Sequence, residues 1–165
     1  MCAIVDVNVA HEVFGDSPSP PAEKFYEWLE SGGGRLIVGG KLLKELEETS
    51  PDFRRWGVAA QLAGKMITVN EREVETRTRQ IEREGAIRSD DPHILALAQV
   101  SGARLLYSND RDLGDDFRDR KLIENPQGRV YTTRRDKNAP QALDNTKFRR
   151  SHRELLRRNV CRKPD

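Results

Sequence analysis

The sequence predicts an α/β fold with a central, mostly parallel sheet, followed by a basic C-terminal extension. Three observations predict it. Short apolar runs alternate with longer stretches at helical spacing, the pattern of helices packed on a parallel sheet. Acidic residues follow those runs, Asp6 after Ala3-Ile4-Val5 and Asp110 after Leu105-Leu106-Tyr107. An open parallel sheet gathers functional groups there, outside the carboxyl ends of its strands. The charge also changes sign along the chain. Residues 1–128 carry 17 Lys+Arg against 23 Asp+Glu, whereas residues 129–165 carry 12 against 4.

Residues 3–7 read as a buried strand, and Asn8 to Phe14 as a short helix. The loop Gly15 to Pro21 leads to a helix over Ala22 to Ser31, with Phe25, Trp28 and Leu29 at helical spacing. Gly32-Gly33-Gly34 ends it, Leu36-Ile37-Val38 forms a second strand, and Gly39-Gly40 turns the chain. A helix from about Lys41 to Glu48 follows, with Leu42 and Leu46 on its apolar face. Glu45 and Glu47 then lie on the two borders of that face, so spacing leaves both open as site residues. Ser50-Pro51-Asp52 starts another helix, with Pro in its first turn. Ile67-Thr68-Val69 is a third strand, and Asn70 to Glu84 a highly charged helix closed by Gly85. Asp90-Asp91-Pro92 opens a helix that is apolar nearly all round from Ile94 to Val100, hence deeply buried. Arg104 to Tyr107 is the fourth strand, followed by a short acidic helix with Leu113 and Phe117. Leu122-Ile123 and Arg129-Val130-Tyr131 read as a last strand or a hairpin around Pro126-Gln127-Gly128. The domain is placed at 1–131, and residues 132–165 read as an extension, partly helical or disordered, with one basic helix from Thr146 to Arg158.

With 165 residues, 36% of them hydrophobic, the chain is long enough for one domain with a real core plus a tail. It has no run long enough to span a bilayer and no signal segment before its first strand, so a cytoplasmic location is expected. Cys2 and Cys161 are expected to stay unpaired. They make no zinc-ligand spacing with His11, His93 or His152, and His93 alone lies near the acidic set. The acidic body and basic tail suggest a polyanion partner for the tail, against a merely solvated terminus.

The acids carry the chemistry. Asp6 ends an apolar strand, where burial is costly unless something pairs with it; otherwise it caps the next turn. Asp91 before Pro92 is a natural helix N-cap, and a helix N-terminus can also present a carboxylate to a site. Asp110 directly follows a buried strand, while Asp112 is either a ligand or a cap. Most of the rest of that stretch, Asp115, Asp116 and Asp119, reads as a solvated face. Converging carboxylates repel, and a hard divalent cation with oxygen ligands is their natural occupant.

Taken together, these blocks resemble the PIN-domain nucleases. The resemblance covers roughly residues 3 to 131. It rests on Ile4-Val5-Asp6-Val7-Asn8, on Glu45, on Asp91-Pro92-His93-Ile94-Leu95-Ala96-Leu97-Ala98, and on Ser101 through Tyr107-Ser108-Asn109-Asp110-Arg111-Asp112-Leu113. It implies a three-layer sandwich and a metal-dependent endoribonuclease. The family's four acids fall on Asp6, Glu45, Asp91 (with Asp90 as the alternative register) and Asp110. They would hold one or two Mg²⁺ or Mn²⁺ ions that activate a water for attack on an RNA phosphodiester, with Asp112 as a further ligand candidate. Asn8 and Ser108 would orient those carboxylates or waters. Arg111 and the helical face of Arg150, Arg153 and Arg157 are candidates for holding RNA phosphates. Small proteins of this family resemble the toxin of a toxin–antitoxin pair, so an antitoxin protein is one candidate partner and a second copy of the chain another. The long basic extension is not part of the family's common pattern.

Competing classes fit less well. A catalytically silent PIN-like module binding RNA or protein would not need the intact acid set. A haloacid-dehalogenase phosphatase needs an Asp two residues after the first, where Asn8 stands. A response-regulator receiver needs a mid-sheet Asp and a late Lys that have no clear counterpart. A dinucleotide binder needs Gly-x-Gly-x-x-Gly after the first strand, which is absent.

Overall fold

The computed structural model describes residues 1–135, 146–159 and 161. In chain order the elements are β1 (Ile4–Val5), α1 (Val7–Phe14), α2 (Pro20–Glu30), β2 (Leu36–Val38), α3 (Gly40–Thr49), α4 (Pro51–Leu62) and β3 (Met66–Thr68). They continue with α5 (Glu71–Glu84), α6 (Pro92–Ser101), β4 (Leu105–Tyr107), α7 (Arg111–Arg118), β5 (Arg129–Tyr131) and α8 (Arg150–Arg158). All paired strands are parallel: β1 with β4, β4 with β5, and β2 with β3. A single parallel bridge between Ala3 and Leu36 joins the two groups, giving the order β3-β2-β1-β4-β5. The expected α/β fold with a parallel sheet is therefore present.

Parallel strands are covered on both faces, so they read as unbroken apolar runs. Every residue of β1, β2 and β4 is buried accordingly. The edge strand β3 departs from this, with Ile67 and Thr68 exposed. α6 lies at the centre of the core, buried from Pro92 to Ala98. Gly102, at φ 76°, ends it and returns the chain to β4. That backbone region is strained for any residue with a Cβ.

Two expectations are corrected. β5 pairs in parallel with β4, so no hairpin forms around Pro126-Gln127-Gly128, because a hairpin joins antiparallel strands. Leu122 and Ile123 belong to a turn, with Ile123 buried. The cysteines are also not free: Cys2 and Cys161 form a disulfide with a Cα–Cα distance of 5.2 Å. Sequence separation hid this pair, since partners that the fold brings together stand 159 positions apart in the chain.

Helix α8 is seated on the domain. It packs against α2 and β5, burying His152 and Leu156. The His152 ring lies 4.9 Å from that of Tyr131, and its Nε2 is 3.0 Å from the Thr132 carbonyl. Beyond it, Asn159 Oδ1 accepts from the Cys2 N–H at 3.1 Å. The expected helix began at Thr146; the observed one begins at Arg150, and positions 136–145, 160 and 162–165 of the extension lie outside the described residues. Among the described residues, no helix is long and apolar enough to cross a membrane.

Candidate active site

The parallel sheet decides where the acids meet. β1 and β4 are neighbours in register, Val5 opposite Tyr107, so the residues that follow them leave the sheet side by side. Those residues are Asp6 and Ser108. Asp6 is 7% exposed, and its N–H donates to the Tyr107 carbonyl at 2.9 Å. Its side chain makes no aligned capping bond to α1, although the Asn8 and Val7 N–H groups at the start of that helix favour its charged form. Instead the Ser108 hydroxyl donates to Asp6 Oδ2 at 2.7 Å. Ser108 Oγ also accepts from the Asp110 N–H at 3.0 Å and the Asn8 amide at 3.4 Å. Asn8 in turn accepts from the Asn109 N–H at 3.3 Å. Ser108 and Asn8 thus fix the chain between β4 and α7.

Burial pushes the Asp6 carboxyl above its ordinary range, and Asp91 pushes it further; the Ser108 hydroxyl opposes both. Asp91 stands at the N-terminus of α6, half-buried, with no side-chain capping bond. Burial raises it too, and Asp110 and Glu45 add to the rise. Asp6, Asp91, Asp110 and Glu45 are therefore within electrostatic reach of one another through Asp91. Asp90 is exposed and faces a separate cavity. Asp110 is exposed and caps α7, accepting from the Leu113 N–H at 2.8 Å. Asp112 is exposed in the first turn of α7.

Spacing left Glu45 and Glu47 equivalent, and packing separates them. Glu47 is exposed, while Glu45 is half-buried against α6, its Oε2 lying 3.2 Å from His93 Nε2. The two are close without the alignment of a hydrogen bond, and Nε2 has no other hydrogen-bond partner. Burial holds the His93 imidazole below its ordinary value, against the Glu45 and Asp91 carboxylates that pull it up.

Two further acids belong to the surroundings. Glu12 Oε2, one turn beyond Asn8 on α1, accepts from Thr133 Oγ1 at 2.8 Å, Tyr107 OH at 3.2 Å and Ser19 Oγ at 3.3 Å. Asn109 joins this network through Thr132 and Thr133. Asp116 corrects the reading of a solvated acidic face: it is 3% exposed. Its carboxylate accepts the Arg88 N–H at 3.0 Å and the Ser89 N–H at 2.8 Å. It thereby holds the loop that delivers Asp90 and Asp91. The signal was present, since 116 follows Leu113 by three residues and adjoins Phe117 on the buried face. Asp116→Ala orphans the buried Ser89 N–H, at about 1–3 kcal/mol, and frees the part-buried Arg88 N–H. Thermal melts should show that loss, while Asp112→Ala stays within about 0.5 kcal/mol of wild type. Equal melts for the two variants would refute this role for Asp116.

Among the described residues, no three acid, imidazole or thiol side chains stand close enough together to enclose a metal ion. The donors that the fold does gather are hard oxygens, which suit Mg²⁺ or Mn²⁺ in kind. Arg111, next to Asp110, is exposed. On α8, Arg150 pairs with Glu154 at 3.0 Å and the Arg153 guanidinium lies 5.6 Å from the Phe148 ring centroid; Arg157 is exposed.

No model of a known protein family matches the chain, and no curated protein matches it. Among solved structures, a chain in the crystal structure of VapBC2 from Rickettsia felis bound to a DNA fragment from their promoter matches with a TM-score of 0.46 and 13% identity. The match covers 80% of this chain and 98% of that one. So weak a likeness carries no weight, and the reading of the site rests on this chain's own residues.

Proposed function

We propose that the chain is a metal-dependent endoribonuclease with a PIN-like, three-layer arrangement of helices about its sheet. The observation that supports it is the buried Asp6 carboxylate, raised by burial and by Asp91, beside a serine hydroxyl that steadies it. A fold that keeps such repulsion uncompensated destabilises itself, and functional sites are where that is tolerated. Asp6, Asp91, Asp110 and Glu45 would hold Mg²⁺ or Mn²⁺, with Asp90 and Asp112 at the margin. A bound ion would supply an activated water and neutralise charge developing on the phosphate. Ser108 and Asn8 orient Asp6 and the start of α7, and His93 stands against Glu45. Arg111 and the face of α8 bearing Arg150, Arg153 and Arg157 would take RNA phosphates. The reading extends to the toxin of a toxin–antitoxin pair, in which a basic antitoxin side chain would relieve the same repulsion that an ion relieves.

A catalytically silent binding module is the second reading. It is favoured by one observation, that no three metal-binding side chains converge among the described residues. Labelled single-stranded RNA, incubated with Mg²⁺ or Mn²⁺ and with chelator, separates the two. Metal-dependent cleavage by wild type, lost in Asp6→Asn, is expected. No cleavage and no metal binding by the purified protein would leave the silent module.

A further inference from the structure

A cavity of about 320 Å³ lies where the end of α7, the start of β5 and helix α8 meet, lined by Arg118, Gln127, Gly128, Arg129, Val130 and Leu155. Among the described residues no acid lines it. Asp110 caps the first turn of α7 and Arg118 is its last residue, about 12 Å away along the helix axis. The cavity is therefore separate from the carboxylates, and it needs no cation in them to hold an anion. α8 closes one side with Leu155. Arg158 follows Leu155 by three positions and shares that side of the helix.

Cations outnumber acids here. Arg118 lies 3.6 Å from Asp115, and Arg88 lies 3.6 Å from the other oxygen of the same carboxylate. Arg118 and Asp115 are both nearly half exposed, so their pair contributes little. The Arg118 side chain folds back over the bare backbone of Gly114, where a Cβ would stand 3.3 Å from its Nη1. Burial holds the Arg118 guanidinium below its ordinary value, and Arg134 adds to this against the pull of Asp115. Arg129 is exposed, and among the described residues its side chain has no hydrogen-bond or ion-pair partner. The same is true of Arg157 and Arg158 on α8. Like charges gathered in this way repel, and an anion with several acceptor oxygens relieves them together. A guanidinium meets a phosphate through two parallel N–H bonds. Along α8 the exposed Arg150, Arg153 and Arg157 follow one another at about one helical turn. A row of cations leading from a cationic cavity suits an anion that repeats, as a nucleic-acid backbone does.

We propose that the cleft between α7, β5 and α8 seats a backbone phosphate of single-stranded RNA on Arg118 and Arg129, and that the exposed arginines of α8 carry the strand onward. This rests on the ribonuclease reading and deepens it, by naming a point of RNA contact away from the acids. The test uses the full chain and a fluorescently labelled single-stranded RNA of mixed sequence. Binding is followed by anisotropy with chelator present, across a range of salt concentrations, and cleavage is assayed separately with Mn²⁺. The variants are Arg118→Gln/Arg129→Gln, Arg129→Gln alone, and a control of equal charge change, Arg54→Gln/Arg55→Gln, on the exposed face of α4. Arg129→Gln removes no contact within the fold, so it keeps the test valid should the double variant unfold. Removing two phosphate contacts should weaken binding about tenfold at low salt and flatten the slope of log K against log salt by roughly 1.4, half that for the single variant. The control should leave the slope at the wild-type value. Equal slopes for the cleft and control variants, with wild type still binding and cleaving RNA, would overturn the inference alone. So would cleft variants that lose binding of labelled polyglutamate while keeping the wild-type slope for RNA, since the surface would then belong to an acidic protein. Wild type that neither binds nor cleaves RNA would overturn the inference and the ribonuclease reading together.

Discussion

Asn in place of Asp6 is expected to abolish RNA cleavage and, without metal, to raise the melting temperature at pH 7. The catalytic loss should be at least about 100-fold, since even the outer partners of metal ligands are worth 10–100-fold. The stability gain follows from linkage. The folded Asp6 carboxyl is raised from its ordinary value of 3.8, first by burial and then by Asp91. Below that value both folded and unfolded chains carry the proton, and the site costs nothing. As pH rises past it, the unfolded chain releases the proton first, so stability falls until the raised folded value is passed. Asn carries no charge, and its carbonyl can still accept from Ser108 Oγ, so the variant escapes this loss. Melts in chelator should therefore coincide near pH 3 and diverge toward neutrality, the variant being the more stable. Mn²⁺ should then raise the melting temperature of wild type only. A variant that melts below wild type at pH 7 in chelator would sink the account of Asp6 as a strained acid.

The elements that could be read from the sequence are those whose identity is local. The unbroken apolar run Leu36–Val38 is β2 residue for residue, and the apolar block after Asp91-Pro92 is α6. β3 sits one residue earlier than its hydrophobicity suggests, because as an edge strand it exposes Ile67 and buries Met66. β5 was ambiguous because Arg129-Val130-Tyr131 suits either strand direction, and only the crossover from β4 decides it. The positions of Asp6, Asp110 and Ser108 at strand ends were legible for the same local reason.

What could not be read depends on contacts between distant segments. Glu45 and Glu47 are equivalent by helical spacing, and they part only where α6 sets His93 against one of them. Asp116 lay in a run of acids whose other members, such as Asp112 and Asp115, are exposed, so composition masked the buried face that its spacing from Leu113 marks. Its partners are backbone N–H groups 27 and 28 residues earlier, which carry no sequence signature. Glu12 is legible only as a helix residue until Thr133, 121 residues on, donates to it. In each case the fold's parallel crossovers create the neighbourhood after the pattern of the segment is already satisfied.

The disulfide is the extreme case, and its removal is expected to cost more stability than any other single change at the termini. Cys2 and Cys161 close nearly the whole chain into one loop, which restricts the unfolded state most. Cys2→Ser should therefore destabilise the oxidised protein by about 2–4 kcal/mol. For a chain of this length that lowers the melting temperature by roughly 5–15 °C. Reductant should lower wild type to the same point and leave the variant unmoved. The loss should centre on the C-terminal helix. With the bond gone, α8 is held by the burial of His152 and Leu156 and by the bond from Cys2 N–H to Asn159, with no covalent anchor. Limited proteolysis should then cut near α8 sooner in the variant, while β1 and β4 stay protected, because Ala3 still bridges Leu36 and Ile4 still pairs with Leu106. An oxidised wild type that shows two alkylatable thiols, or a melt indifferent to reductant, would refute the covalent tie. In a reducing compartment the same geometry leaves α8, and the arginines it carries, attached by packing alone.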